Sequence, residues 1–402
     1  MSEWKEYKLA ELGDFFGGVT TIKREDYGFG TPFITYKNVY KNSKVDISVL
    51  ELMNVKKNDL IKRNCVYGDI FFTASSETPD EVAMSSVLLD NVNDLTFNGF
   101  CKRFRLHNFN ILNPAYARYL FRGENFRNSA YEYANGDVRF NISQENLAKI
   151  SIRIPNLSTQ TTIADILSSL DDKIELNIKI IQELETLAQT LFNQWFIDFE
   201  FPNENGEPYK SSFGTMVDSE LCEIPVGWVT GIFSDLVKIS SGKGIHKKDY
   251  VENGDYPIIG ANGIMGNYFK YNIDSFKILT GRVGTLGTVR ISVEKAWISD
   301  NVLICDPIKK EYNHYSYFVM KNFDYNALNR GSTQPLITQT DLKSQPINIP
   351  PMNVLNQFQN QMDSILLNLE VYKSENKKLI SLRNTLLPKL ISGELEINEI
   401  SN

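Results

Sequence analysis

Two long segments of this chain place apolar residues in alternating steps of four and three. In the first, Ile163, Leu167, Leu170, Ile174, Asn177, Ile181, Leu184, Ala188, Leu191 and Trp195 form one stripe. A period of 3.5 held over several heptads is the pattern of a helix that packs lengthwise against another helix. A stripe so narrow and so long suits a coiled coil better than a helix lying on its own domain. The second segment carries Phe358, Met362, Ile365, Leu369, Tyr372, Asn376, Leu379, Arg383, Leu386 and Leu390, each 195 residues after its counterpart. Pro388 should end or kink this second helix, because it has no amide hydrogen and clashes with the preceding turn.

Ahead of each helix the pattern changes to short aromatic and β-branched runs broken by turns, which read as strands. The first half offers 33–40, 69–75 and 100–106, and the second offers 256–266, 276–283 and 297–304. Tyr116–Phe121 and Tyr315–Met320 read as short helices. The apolar-poor stretch 203–212, NENGEPYKSS, is rich in turn formers and reads as a linker. Small mixed α/β domains are the expectation for each half.

The helical register extends back into the domains. Gly136 to Pro155 overlays Gly331 to Pro350 without a gap, matching Ile142 with Ile337, Leu147 with Leu342 and Pro155 with Pro350. Trp4 to Gly18 overlays Trp228 to Gly242 at a shift of 224, so the stretch between the anchors is 29 residues shorter in the second half. Similar frames carrying dissimilar inserts imply one kind of recognition performed twice, on two targets.

The chain's 402 residues suffice for two domains that each bury a core. No apolar run approaches the length of a membrane span, and the start lacks a basic, then apolar, secretory signal. The 4 cysteines and 3 histidines are scattered, so neither disulfides nor a metal site is expected, and a cytoplasmic location fits. The net charge of −7 disfavours nucleic acid until it is divided along the chain. Residues 156–222 hold 3 Lys+Arg against 12 Asp+Glu, whereas 1–155 hold 20 against 19 and 223–349 hold 14 against 12. Local charge governs within a Debye length of ~8 Å, so DNA binding stays open for both variable regions.

The residues at this point resemble a family. Ile154, Pro155, Leu157, Gln160, Ile163, Leu170, Asp171 and Ile174, then Leu191, Phe192, Trp195, Phe196, Asp198 and Phe199, are similar to the central conserved region of type I restriction–modification specificity subunits. Leu387, Pro388, Leu390, Ser392, Gly393 and Glu394 are similar to its C-terminal counterpart, and Leu355 departs from the glutamine at the position matching Gln160. The resemblance implies an α+β chain with an internal pseudo-twofold repeat. It places target-recognition domains at 1–155 and 223–349, a central helix at 156–200, a linker at 201–222 and a C-terminal helix at 350–402. The helices would pair as an antiparallel coiled coil that holds the domains apart. The partners implied are double-stranded DNA, two adenine-methyltransferase subunits and motor–nuclease subunits, with no cofactor and no catalysis in this chain.

Two motifs imitate enzymes without completing them. Asn113-Pro114-Ala115-Tyr116 lacks the second proline of an adenine-gripping methyltransferase loop and reads as a helix cap, and the glycines at 281, 284 and 287 lack phosphate-loop spacing. A self-contained modifying enzyme is therefore disfavoured, and a coiled-coil adaptor for proteins is the other competing reading. Side chains on Gly-containing loops and strand ends are the candidates for DNA contact. These are Lys37, Asn38, Thr73, Ser75, Asn98 and Arg139, then Asn262, Arg282, Thr285, Arg330, Ser332 and Gln334. Trp195, Phe196 and Phe199 are candidate anchors for the methyltransferase, since aromatics dominate interface energetics. Antiparallel pairing in one register sets Asn177 opposite Asn376, Ile174 opposite Leu379 and Leu184 opposite Leu369, with Leu170 against Arg383 as the poor layer. The helix 163–195, at 1.5 Å per residue about 50 Å long, would space two half-sites one DNA turn apart, with a gap of roughly five to eight base pairs.

Overall fold

The computed structural model describes residues 4–20, 23–78, 81–136, 140–284, 286–331 and 334–395. Arg139, Thr285 and Ser332, three of the candidate DNA contacts, lie outside the described residues. Contacts divide the chain into two compact units, Met1–Asn177 with Glu375–Asn402, and Ile178–Ser374. These limits cut across the expected helical segments. Each continuous helix, Leu157–Phe196 and Met352–Ser392, gives one end to each unit.

In the first unit an antiparallel sheet runs in the order Gly13–Gly17, Cys101–Leu106, Ile70–Thr73, Ser85–Val87. Its central strand is buried on both faces, so successive side chains serve different cores. Ile70 and Phe72 pack with Phe104, Tyr116, Phe121 and the helix residues Ile163, Leu167, Leu390 and Ile391. Phe71 joins Phe97, Cys101 and Ile34 on the other side. A smaller sheet orders Glu51–Met53, Tyr27–Ile34 and Thr96–Phe97, the last pair parallel. Strand Lys5–Lys8 pairs with Ser151–Ile154, tying the chain's start to the strand that feeds the central helix.

The second unit repeats this topology. Its four-stranded sheet runs Val237–Ser241, Val302–Pro307, Lys277–Gly281, Val289–Ser292. Its smaller sheet orders Gly263–Tyr268, Tyr256–Gly260 and Trp297–Ile298, again with the last pair parallel. Val229–Ile232 pairs with Pro346–Ile349 as Lys5–Lys8 does with Ser151–Ile154. Ser143 and Thr338, 195 apart, both cap a short helix by accepting from the amide three residues on. Gly18 and Gly242 match for a steric reason: a Cβ would stand 2.2 Å from the carbonyl of Asn98 in one and 2.1 Å from that of Ser299 in the other.

Some expected elements differ. The run 33–40 divides into a strand ending at Ile34 and a helix, Tyr36–Lys41, that starts where the Thr35 hydroxyl accepts from Asn38 N at 3.2 Å. The runs 256–266 and 297–304 are each two strands with a turn between them. The stretch 203–212 is built into the second unit rather than joining domains. Tyr209 stacks on Phe201 with ring centroids 4.7 Å apart, and Phe201 packs on Trp228. Polar composition hid the anchor within the stretch, Tyr209.

Pro388 does not stop its helix, which runs on to Ser392. The helix ends at Gly393, at φ 78° in the left-handed region, beyond which Leu395 N–H returns to Lys389 O at 3.1 Å. A Cβ on Gly393 would also meet the Trp4 ring at 2.8 Å. Gly393→Ala should lower the stability of this unit by about 1–2 kcal/mol, combining left-handed strain with the clash. A urea midpoint unchanged from the parent would contradict that.

Candidate nucleic-acid interface

In the second unit, three of the candidate residues gather around one cavity. The turn between strands Tyr256–Gly260 and Gly263–Tyr268 exposes Asn262, and Gln334 is exposed across from it. Both line an open cavity of about 610 Å³ together with Val283, Gly284, Met265 and Asn301. Arg282 precedes Val283 on the same loop, and its backbone is fixed from both sides, N–H to Asn301 O at 2.8 Å and O from Ile337 N–H at 3.0 Å. Rigid backbone beneath exposed amide side chains is what base-edge readout requires, and Arg282 itself is half-buried beside them. Arg330 is less free. Asp341, itself buried, holds its Nε at 2.7 Å and also takes the Thr338 hydroxyl at 2.6 Å, so Arg330 secures the loop to helix Gln339–Lys343.

The first unit sorts its candidates differently. Lys37 is exposed, on the helix after Thr35. Asn38 is only 4% exposed and clamps a turn: its amide donates to Asp46 O at 2.9 Å and its oxygen accepts from Asp46 N at 3.1 Å. Thr73 is wholly buried, donating to Glu81 O at 3.1 Å and accepting from Met84 N at 2.9 Å. Neither side chain can reach DNA, so both expectations are corrected. Short polar side chains at strand ends satisfy local backbone as readily as they meet a ligand. Ser75 is half-buried, in a two-residue strand pairing with Asn141, and Asn98 is half-buried with its oxygen on Phe100 N at 2.8 Å.

The candidate partner anchors are also corrected. Trp195, Phe196 and Phe199 are 4%, 4% and 6% exposed, packed in the second unit against Trp228, Tyr315 and Phe358. Rings consumed by a core offer a partner almost no area. On the same helices, Ile178, Leu187, Leu367 and Val371 are exposed in the second unit, and Leu176, Ile380 and Leu382 in the first.

Where the two helices pair in the first unit, Asn177 Nδ2 donates to Asn376 Oδ1 at 3.0 Å, and both residues are buried. Asn376 Nδ2 donates in turn to Ile174 O at 3.3 Å. The poor layer at Arg383 is answered by Asp171, which takes Arg383 at 2.8 Å, Arg118 at 2.9 Å and the Tyr119 hydroxyl at 2.8 Å. Gln160 is fully buried, accepting from Asn113 N at 2.9 Å and donating to Ile111 O and Pro155 O, both at 2.8 Å. It clamps the loop before helix Pro114–Leu120, which Asn113 caps. Leu355 fills the equivalent place in the second unit by apolar packing.

Sequence reasoning did not single out Asn301, which lines the cavity of the second unit. The Asp300-Asn301 pair between apolar runs was the available signal, a turn dipeptide. Among the described residues no group of three or more His, Cys, Asp or Glu side chains is placed to hold a metal ion, and no helix is long and apolar enough to cross a membrane.

Comparison with known proteins places these features in context. The family model for the type I restriction modification DNA specificity domain matches residues 1–186 and 225–384. The chain is 26% identical to the type I restriction enzyme MjaIX specificity subunit of Methanocaldococcus jannaschii, across 99% of this chain and 95% of that one. It is 25% identical to the HindI specificity subunit of Haemophilus influenzae, across 98% of this chain and all of that one. The crystal structure of a type I restriction–modification S subunit from M. genitalium superposes with a TM-score of 0.67 at 16% identity, covering 97% of this chain and 96% of that one.

Proposed function

Since the chain belongs to the type I restriction–modification DNA specificity family, a family of DNA-recognition subunits, we propose that each unit reads one half of a bipartite, gapped target while the chain itself performs no chemistry. The observation that carries this reading is the repeated topology with different loops: one scaffold occurs twice, and its exposed polar side chains differ between the copies. Base-edge contacts give sequence preference, and Lys or Arg contacts to phosphate give affinity and register. Both variable regions have little net charge, so tight binding should depend on partners that supply further phosphate contacts.

The partners proposed are two adenine-methyltransferase subunits, joined by motor–nuclease subunits for restriction. With Trp195, Phe196 and Phe199 committed to the core, the exposed helix residues Leu187, Leu367 and Val371 take over the role of anchors in the second unit. Paired helices of this length are proposed to set the number of unspecified bases. An adaptor for proteins alone, or a self-contained modifying enzyme, has no support from the family or from these loops.

The test is a methylation map. Replacing residues 18–135 with the matching insert of a relative should change one half of the N6-methyladenine motif and leave the other half intact. Lengthening both helices together should change only the gap. A parent motif that is continuous, or a swap that alters both halves, would defeat the reading.

A further inference from the structure

The two units carry the same backbone hydrogen bonds at one place and different side chains upon them. In the first, Ala74 N–H donates to Phe100 O at 2.8 Å, and Ala74 O accepts from Ile142 N–H at 3.0 Å. In the second, Arg282 stands in for Ala74, Asn301 for Phe100 and Ile337 for Ile142, with the same 2.8 and 3.0 Å. The neighbours agree. Thr73 pairs with Cys101 as Gly281 pairs with Val302. Asn98 N–H donates to Ile34 O, and Ser299 N–H to Ile259 O, both at 3.0 Å. Phe100 and Asn301 therefore occupy equivalent places. Their numbers differ by 201, a shift that neither 195 nor 224 reveals.

What projects from that place is opposite in chemistry. Phe100 is 67% exposed, and Asn301 is exposed on the cavity it shares with Asn262 and Gln334. A lone exposed phenyl ring is ordinary. Its equivalence to an amide that lines a polar cavity is what gives it meaning, because neither side chain is used by a core. In the major groove an asparagine amide pairs with adenine through two hydrogen bonds, whereas a phenyl ring contacts the thymine methyl.

We propose that residues 100 and 301 are specificity-determining side chains, Asn301 reading an adenine in one half-site and Phe100 a thymine methyl in the other. This rests on the reading that each unit serves one half-site. The experiment maps N6-methyladenine in cells carrying the full system with the parent chain, Asn301→Ala, Phe100→Ala or Phe100→Asn. Asn301→Ala should relax one A·T position of one half-site, discrimination there falling roughly 5- to 100-fold, the range a bidentate base contact confers. Phe100→Ala should relax one position of the other half only, and Phe100→Asn should change the base preferred there. A bipartite parent motif that all three variants keep unchanged overturns this proposal and leaves the half-site reading standing. A gapless parent motif overturns both.

Discussion

Asp69→Ala is expected to destabilise the first unit by about 3–5 kcal/mol, the cost of breaking a buried ion pair from one side. The Asp69 carboxylate is 1% exposed and fully used: Arg105 grips both oxygens at 2.7 Å, and Val66 N–H donates at 2.8 Å. Arg103, 2% exposed, lies beside it with Nε at 3.9 Å, a charge contact beyond hydrogen-bonding range. The Arg103 guanidinium is stacked 4.6 Å from the Phe16 ring centroid, and burial lowers its pKa against the opposing pull of Asp69. Removing the carboxylate leaves that cation in an apolar layer with Asn64 O, at 2.5 Å, as its remaining strong acceptor. Asp69→Asn should cost less, since an amide oxygen still accepts from Val66. Urea unfolding that shows a loss below ~1 kcal/mol for Asp69→Ala would contradict the buried-charge argument.

Phe196→Ala should cost the second unit a similar ~3–5 kcal/mol, the range for emptying an aromatic site in a packed core. Phe196 meets Tyr315 and Phe358 at 4.7 Å, Phe192 at 5.3 Å and Trp228 at 5.9 Å between ring centroids. No small shift of neighbours closes a space bounded by four rings. Any loss of methyltransferase binding in this variant would follow from the damaged fold. The contrasting substitution is Leu367→Asp, at a side chain 68% exposed on the C-terminal helix. It should melt like the parent and yet lose co-purification with the methyltransferase. The opposite pattern, an intact melt for Phe196→Ala with lost binding, would restore the aromatic cluster as a docking site.

The repeat was legible because the residues that form it make local or near-axial contacts. The overlay of 136–155 on 331–350, the match of Trp4 with Trp228 and the asparagine layer all follow from spacing. Asn177 and Asn376 face each other because their helices present one seam, and a seam is a one-dimensional pattern. The interface was legible only in part. Asn38 and Thr73 resemble DNA-reading loop residues until their partners are known, and those partners, Asp46 in one case and Glu81 and Met84 in the other, belong to turns whose path composition does not reveal. Trp195 and Phe196 have the spacing of a helix seam and the size of interface anchors. Only the position of Trp228 and Tyr315 decides that a core claims them. Phe100 and Asn301 escaped because equivalence there is carried by backbone hydrogen bonds and by no shared letters.

The first unit is assembled from two pieces of chain, residues up to Asn177 and those from Glu375 onward, and Leu390 and Ile391 belong to its core. The second unit is a single uninterrupted piece. A ribosome delivers residues in order at about 5–20 per second, so the N-terminal piece emerges first and waits for its closing helix until the residues from Glu375 onward are made. During that wait, on the order of ten seconds or more at those rates, the seats of Leu390 and Ile391 are uncovered, and the unit encoded first is completed last. Truncation or stalling late in translation would thus spare the contiguous second unit and strand the N-terminal one without its lid.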